Sequence, residues 1–235
     1  GEIAPGKDLT SKGDFAFEFK DGIAYVFIGG KKGIIDTSGK VTYPRISDLL
    51  PHWARYSDGL APFRNKDGRW GYLDRQGLVV IPAQFSFAYD FSEGLACVQT
   101  AEGCGYIDKA GVFVIKPVFD SAENFSEGLA PVCQKECWGY IDKSGKLVLK
   151  PQYSAASPFS EGLAYVEIRE ESADKSGRSI LKWAYIDKSG RVVIGPRSGA
   201  GGWEISTWYP SCTEFSEGLA APRDNGKFGH IDRTG

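Results

Sequence analysis

Two short motifs alternate along this chain of 235 residues, and their spacing limits what it can fold into. The first reads FSEGLACV (91–98), FSEGLAPV (125–132), FSEGLAYV (159–166) and FSEGLAAP (215–222), with looser forms YSDGLAPF (56–63) and FKDGIAYV (19–26). The second follows it each time: KGIID (32–36), WGYLD (70–74), CGYID (104–108), WGYID (138–142), WAYID (183–187) and FGHID (228–232). A turn ending in Gly, an apolar run and a proline then close the unit, as in KSGKLVLKP (143–151). The opening aromatics Phe19, Tyr56, Phe91, Phe125, Phe159 and Phe215 stand 37, 35, 34, 34 and 56 residues apart. Units of this size cannot bury a core alone, so each must stack on its neighbours.

Each unit reads as an antiparallel meander. In the fourth, the expected strands are Leu129 to about Cys133, Trp138 to Asp142, and Lys146 to Lys150. Short aromatic and β-branched runs between Gly-containing turns are strand chemistry. The stretch VFDSAENF (118–125) must run back to the next unit and is a candidate fourth, short strand. No useful length carries the 3.6-residue period of an amphipathic helix.

The expected class is therefore all-β, as one domain over 1–235. It is a closed, six-bladed β-propeller-like toroid of six meander repeats. Closure is expected from the ends. IDRTG (231–235) is a turn without a third strand, and GEIAP (1–5) is a third strand without a turn. Joined, they place Pro5 five residues after Gly235, as Pro82 follows Gly77. Closure by the N-terminal strand would remove exposed sheet edges.

The charge pattern narrows the function. Lys and Arg number 28 and Asp and Glu 30, with no basic block, which argues against nucleic acid as partner. No apolar run approaches the roughly 18 residues of a membrane span. The five cysteines (97, 104, 133, 137, 212) include no C-x-x-C pair, so no zinc site is expected. Cys133 and Cys137 flank a turn, and a bridge across it or free thiols are both open.

The repeated polar residues read as turn chemistry. Asp36, Asp74, Asp108, Asp142, Asp187 and Asp232 each open a D-x-x-G turn. There the carboxylate accepts from a backbone N–H two residues on, and the Gly takes positive φ. A metal ring would explain the Asp but not the Gly, so no metal or cofactor is expected. The acids Asp21, Asp58, Glu93, Glu127, Glu161 and Glu217 fit tight turns before Gly, with a weaker reading as a ring that attracts cations. Gly33, Gly71, Gly105, Gly139 and Gly229, with Ala184, lie inside strands, where a neighbouring backbone or ring must pass close. Trp70, Trp138, Trp183 and Phe228 fit inter-unit core better than ligand platforms.

The alternating WGYID and FSEGLAPV elements resemble the WG-repeat (KWG-repeat) family, found mostly in bacteria, over essentially the whole chain. Departures are Lys32 and Cys104 at the aromatic position and Ala184 at the Gly position. The resemblance implies a repeat β architecture with a binding or scaffolding role, and it carries no catalytic motif.

Function is expected where the repeat breaks. Pro117 to Phe125 and Pro151 to Phe159 both span eight residues, but Pro196 to Phe215 spans nineteen. Val132 to Trp138 spans six, but Val166 to Trp183 spans seventeen. In a meander these variable segments share one end, and the D-x-x-G and FSEG turns share the other. Candidate partner-binding residues are Trp53, Arg169, Trp203, Trp208 and Tyr209, since aromatics and Arg on loops are the usual interface anchors. The leading expectation is a non-catalytic module that binds a protein or peptide. A lectin-like carbohydrate binder is the alternative, and an enzyme acting on glycans the third. His52 and His230 are the only histidines, and G-x-S-x-G, H-E-x-x-H and P-loop motifs are absent.

Overall fold

A meander needs only tight turns and alternating strands, and the fourth repeat shows how this sequence supplies both. A computed structural model describes residues 15–16, 19, 22–43, 56–171, 179–198, 214–224 and 227–235. In the fourth repeat a return strand, Ser121–Ala122, lies beside the first strand, Leu129–Gln134. The second strand, Cys137–Asp142, and the third, Leu147–Tyr153, follow in antiparallel order. The expected short fourth strand is thus present. The first, third and fifth repeats form the same four-stranded sheet. The second shows three strands, Leu60–Arg64, Trp70–Asp74 and Val79–Phe85. The sixth shows two short pairs, Leu219–Ala220 with Ile231–Asp232 and Arg223–Asp224 with Lys227–Phe228. Among the described residues there is no helix. The strands make separate sheets, one or two per repeat. Contacts divide the chain into two compact halves, Gly1–Val118 and Phe119–Gly235.

The third strand differs from the sequence expectation. It does not stop at its proline but runs through it to Tyr153. Trp138 pairs with Tyr153 and Tyr140 with Leu149, so two residues on one strand face four on the other. The excess is a bulge at Lys150–Pro151, where proline's missing N–H costs no ladder bond. After Ser154 the chain enters the next return strand, Ala155–Ala156. The third strand of one sheet therefore delivers the chain to the next.

The bulge explains the strand glycine. A Cβ on Gly139 would stand 2.5 Å from the Leu149 carbonyl oxygen and 2.7 Å from the Pro151 nitrogen. Gly71 and Gly105 meet the same backbone, at 2.4 Å from Ile81 O and 2.7 Å from Ile115 O. The expected close approach is real, and its partner is the bulge. The fifth repeat has Ala184 here, and the facing strand compensates. Its bulge residue is Gly195, at φ +93°, where a Cβ would lie 2.8 Å from Trp183 O and 3.4 Å from the Ala184 methyl. The methyl has changed strands.

Within each half, aromatic side chains of one sheet pack against the next repeat. Tyr140 packs tilted against Phe159 of the next repeat at 4.9 Å, and its hydroxyl donates to Ser157 O at 2.8 Å. Tyr72 meets Phe91 at 4.8 Å and donates to Tyr89 O at 2.8 Å. Trp70 and Trp183 are buried as expected, while Trp138 is half-buried against the same core. Tyr140→Phe leaves the Ser157 carbonyl without its donor and is expected to cost about 1–2 kcal/mol, read from a denaturant midpoint.

Candidate functional site

The two ends of each sheet have different chemistry. In the fourth repeat Leu129 pairs with Asp142 at one end, and Gln134 pairs with Cys137 at the other. The FSEG and D-x-x-G turns share the first, or turn end. The first hairpin and the crossover through Tyr153 share the second, or loop end. The alternation expected from the sequence holds within the sheets.

At the turn end every described D-x-x-G Asp serves its own turn. Asp142 Oδ1 accepts from Ser144 N at 2.9 Å and Lys146 N at 3.1 Å, while Gly145 N donates to Asp142 O at 2.9 Å. Asp36, Asp74, Asp108 and Asp187 repeat this pattern, and Asp232 accepts from Thr234 N at 2.8 Å. These bonds hold Asp142 and Asp232 below the usual range, chiefly through the Ser144 and Thr234 hydroxyls. Asp187 falls to about 2, chiefly through Ser189 with help from Arg191.

The FSEG block is a two-residue hairpin with both central residues left-handed. Asp58, Glu93, Glu127, Glu161 and Glu217 all have φ between 51° and 55°, and the following Gly residues lie at 79° to 88°. Ser126 and Leu129 exchange backbone bonds at 2.9 and 3.1 Å across it. This is a type I′ turn, in which Asn or Asp is the common first central residue because Glu is strained there. The reason for an acid lies in the next repeat. Glu127 accepts from Gly162 N with both oxygens, at 3.0 and 3.1 Å. Glu161 does the same to Gly218 N at 3.2 and 3.1 Å, and Asp58 to Gly94 N at 2.7 Å. Ser126 Oγ and Ser160 Oγ each donate 2.6 Å to the opening Phe carbonyl of the next repeat. Lys188 closes on Glu127 at 3.0 Å, and Arg233 donates to Glu161 O at 2.6 Å.

Within each half the turns thus form a ladder in which the acid of one repeat caps the turn of the next. Sequence reasoning found the turn but missed the ladder. A signal was present: Arg75, Lys109, Lys143, Lys188 and Arg233 each follow the repeat Asp, and only Thr37 breaks that column. Carboxylates so engaged do not form an open ring for a cation. Among the described residues no group of three or more His, Cys, Asp or Glu could hold a metal.

Glu127 shows the electrostatic result. Partial burial pushes its carboxyl up, but the Gly162 N–H and the Lys188 ammonium outweigh this and hold it below the usual range. A depressed carboxyl stabilises the fold above its unfolded pKa, about 4.3, and loses that contribution as pH falls through the folded value. Glu123 runs the other way. Burial, then the charge of Glu214, raises it to about 7, so its penalty grows as pH rises from about 4.3 towards 7. Melting curves against pH should show Glu123→Gln stabilising at pH 8 and neutral at pH 4. Glu127→Gln should cost about 1 kcal/mol near neutrality and less at pH 3.

The loop end carries the irregular features. In the fifth repeat the first hairpin, Ala164–Glu171 with Ser179–Ile186, continues past Glu167↔Trp183 through four more pairs to Glu171↔Ser179. The fourth repeat has one pair beyond the equivalent Cys133↔Trp138. This is the protruding hairpin expected from 167–182. Arg169 is exposed on it, paired with Leu181, and Ile180 is exposed beside the Lys182–Glu170 ion pair at 2.6 Å. At its base Glu167 is buried and accepts from the Tyr165 hydroxyl at 3.1 Å, and burial raises its carboxyl. Arg197 lies 5.5 Å over the Trp183 ring. Of the sequence candidates, Arg169 stands here; Trp53, Trp203, Trp208 and Tyr209 lie outside the described residues. Cys133 is free and buried, and Cys137 free and half-buried. Register explains why they do not bridge. Cys137 opposes Gln134, so it points to the face opposite Cys133.

No curated protein sequence is significantly similar to the chain. The crystal structure of the computationally designed Ika8 protein superposes with TM-score 0.50 at 12% identity, over 92% of this chain and 69% of that one. BamB from Moraxella catarrhalis gives 0.44 at 14% identity over 84% and 64%, and apo AztD from Citrobacter koseri 0.42 at 16% over 81% and 61%. The chain therefore spans less than two thirds of the last two. The family described as "WG containing repeat" matches three times in succession, at residues 70–102, 105–136 and 138–170. With the WG glycine explained by the bulge and the FSEG acid by its bond to the next repeat, residues 70–170 of this chain carry three WG-containing repeats, set in an all-β fold of repeated antiparallel sheets.

Proposed function

We propose that the chain is a non-catalytic module that binds a protein or peptide through the loop end of its repeats. The observation that carries this is the extended hairpin of the fifth repeat. It adds three strand pairs beyond the fourth repeat's hairpin and exposes Arg169 and Ile180. At the turn end Asp58, Glu127 and Glu161 are engaged with the turn of the next repeat, and the repeat Asp residues with their own turns. A two-stranded arm with an exposed arginine on one face and an exposed isoleucine on the other is suited to anchoring a partner. Closure of the six repeats into one ring is the fuller form of the sequence reading, and this function does not require it.

The test replaces 172–178 with the two-residue Lys-Glu turn of the fourth repeat, Lys135–Glu136, and adds Arg169→Ala. Peptides selected from a display library on the wild-type chain should bind the variant at least tenfold more weakly, at an unchanged melting temperature. Selected peptides that bind both equally would remove the hairpin from the site. A glycan array run alongside distinguishes the lectin-like reading: sugar binding without peptide binding would replace this proposal.

A further inference from the structure

Apolar exposure on this protein is concentrated on one strand of the repeat. Of the fourteen large apolar side chains exposed among the described residues, eleven lie in the third-strand segments 78–85, 112–119, 147–153 and 192–198. Scatter would spread them over all strands, so the cause lies in the third strand itself. It stands at the edge of its sheet. Within it Ile141 opposes Leu147 and Tyr140 opposes Leu149, which leaves Val148 as an extra residue. Val193 is extra in the same way, between Tyr185↔Ile194 and Ile186↔Val192. This second bulge breaks the in-out alternation, so two consecutive apolar residues face solvent before the next is buried. Leu147 and Val148 are 41% and 44% exposed, and Val192 and Val193 40% and 42%, whereas Leu149 and Ile194 are buried.

Cations flank these pairs and acids do not. The segments 143–153 and 188–198 hold Lys143, Lys146, Lys150, Lys188, Arg191 and Arg197 and no Asp or Glu, in a chain where acids outnumber cations 30 to 28. All six are exposed. Lys188 is held by Glu127 and Arg191 by Asp187, both at 3.0 Å, while Lys146 and Lys150 bracket Leu147 and Val148 directly. The two strands are neighbours within the half Phe119–Gly235. A Cβ on Gly190, two residues before Val192, would stand 3.0 Å from Leu149 Cδ2. Neighbouring edge strands therefore present four exposed aliphatic side chains among cations.

We propose that this edge of the fourth and fifth repeats is a docking surface for an anionic lipid membrane. Leu147, Val148, Val192 and Val193 reach the boundary between headgroups and acyl chains, and Lys146, Lys150 and Arg191 meet the lipid phosphates. Charge and backbone geometry select the occupant. A second copy presenting the same edge would set cation against cation. An added β-strand needs an unbroken ladder, and here two bulges and Pro151 interrupt it. A protein partner is anchored best through Trp, Tyr or Arg, whereas the exposed apolar residues of these two strands are short and aliphatic. A lipid surface asks only for apolar area and positive charge. It is also alike at every point, which suits a feature that recurs from repeat to repeat. Only side chains enter the boundary layer, so the edge's backbone groups stay hydrated among the headgroups. The contact is separate from the loop-end site and does not rest on that reading.

The experiment is co-sedimentation of the purified chain with vesicles of phosphatidylglycerol and phosphatidylcholine in equal parts, and with vesicles of phosphatidylcholine alone. Wild type should bind the anionic vesicles at least about tenfold more tightly than the neutral ones, and more weakly as salt rises from about 50 to 500 mM. Lys146→Glu with Lys150→Glu should lower that binding by about tenfold or more. Leu147→Ser, Val148→Ser, Val192→Ser and Val193→Ser together should lower it as much, because the apolar area is lost while the charge stays. All these positions are exposed, so the circular dichroism spectrum should not change. If the fourfold variant fails to fold, Val148→Ser alone should still cost about threefold in binding. A wild-type chain that does not bind the anionic vesicles overturns the proposal, including the case in which it binds polyglutamate, which would assign the edge to an acidic protein. Vesicle binding unaffected by the serine changes overturns it as well, since cations alone would then account for it.

Discussion

Gly139→Val is expected to cost at least about 3 kcal/mol and to lower the melting temperature by on the order of 10 °C. The added Cβ would meet the Leu149 carbonyl oxygen at 2.5 Å and the Pro151 nitrogen at 2.7 Å. Both are backbone atoms, so no side chain can swing away, and the bulge itself must move. That bulge sets the register change between Tyr140↔Leu149 and Trp138↔Tyr153, and it aims the chain into the next return strand. Damage there should reach the fifth repeat. Gly71 and Gly105 should behave alike, since the same backbone crosses them. Gly229 in the sixth repeat is the control. Nothing lies within 4 Å of its Cβ position, so Gly229→Ala should stay within about 0.5 kcal/mol of wild type. Equal melting temperatures for Gly139→Val and wild type would refute the bulge account.

The second large effect is a coupling. Gly195→Lys, which copies Lys150 of the fourth repeat, should cost more than about 2 kcal/mol. It places a side chain at φ +93° and 2.8 Å from Trp183 O. Ala184→Gly alone should cost about 1 kcal/mol through backbone freedom and lost packing. Together they should cost clearly less than their sum, with a coupling of at least about 1 kcal/mol in a double-mutant cycle. The reason is that with Gly at 184 the facing strand can take the path that Leu149 to Pro151 takes over Gly139. Strict additivity would mean that the exchange of Gly between the two strands is accidental.

Much of the fold was legible in the letters because a repeat averages its own noise. Six aligned copies of D-x-x-G identified the Asp and the Gly as one turn, and the hydrogen bonds agree. The strand glycine was legible as a close approach, though not what approached, because the bulge partner lies ten or more residues away. The FSEG acid was read as a turn residue only. Its second role needs the distance from Glu127 to Gly162, 35 residues on, which local patterning does not report. Arg169 was legible as part of a protruding hairpin, from the length of the insertion and its charge. The other four aromatic candidates rest on the sequence alone.

The sequence by itself determined the repeat, the all-β class, the turn chemistry and which end of each sheet varies. Those follow from local rules: period-two alternation, left-handed glycines and loop length. Only the tertiary structure decided that the turn acid is an inter-repeat bond and that the WG glycine answers a bulge on the facing strand. Each of these depends on which backbone atoms meet between strands or repeats, and a side chain's partner across such a gap is fixed by stacking geometry rather than by its neighbours in the chain.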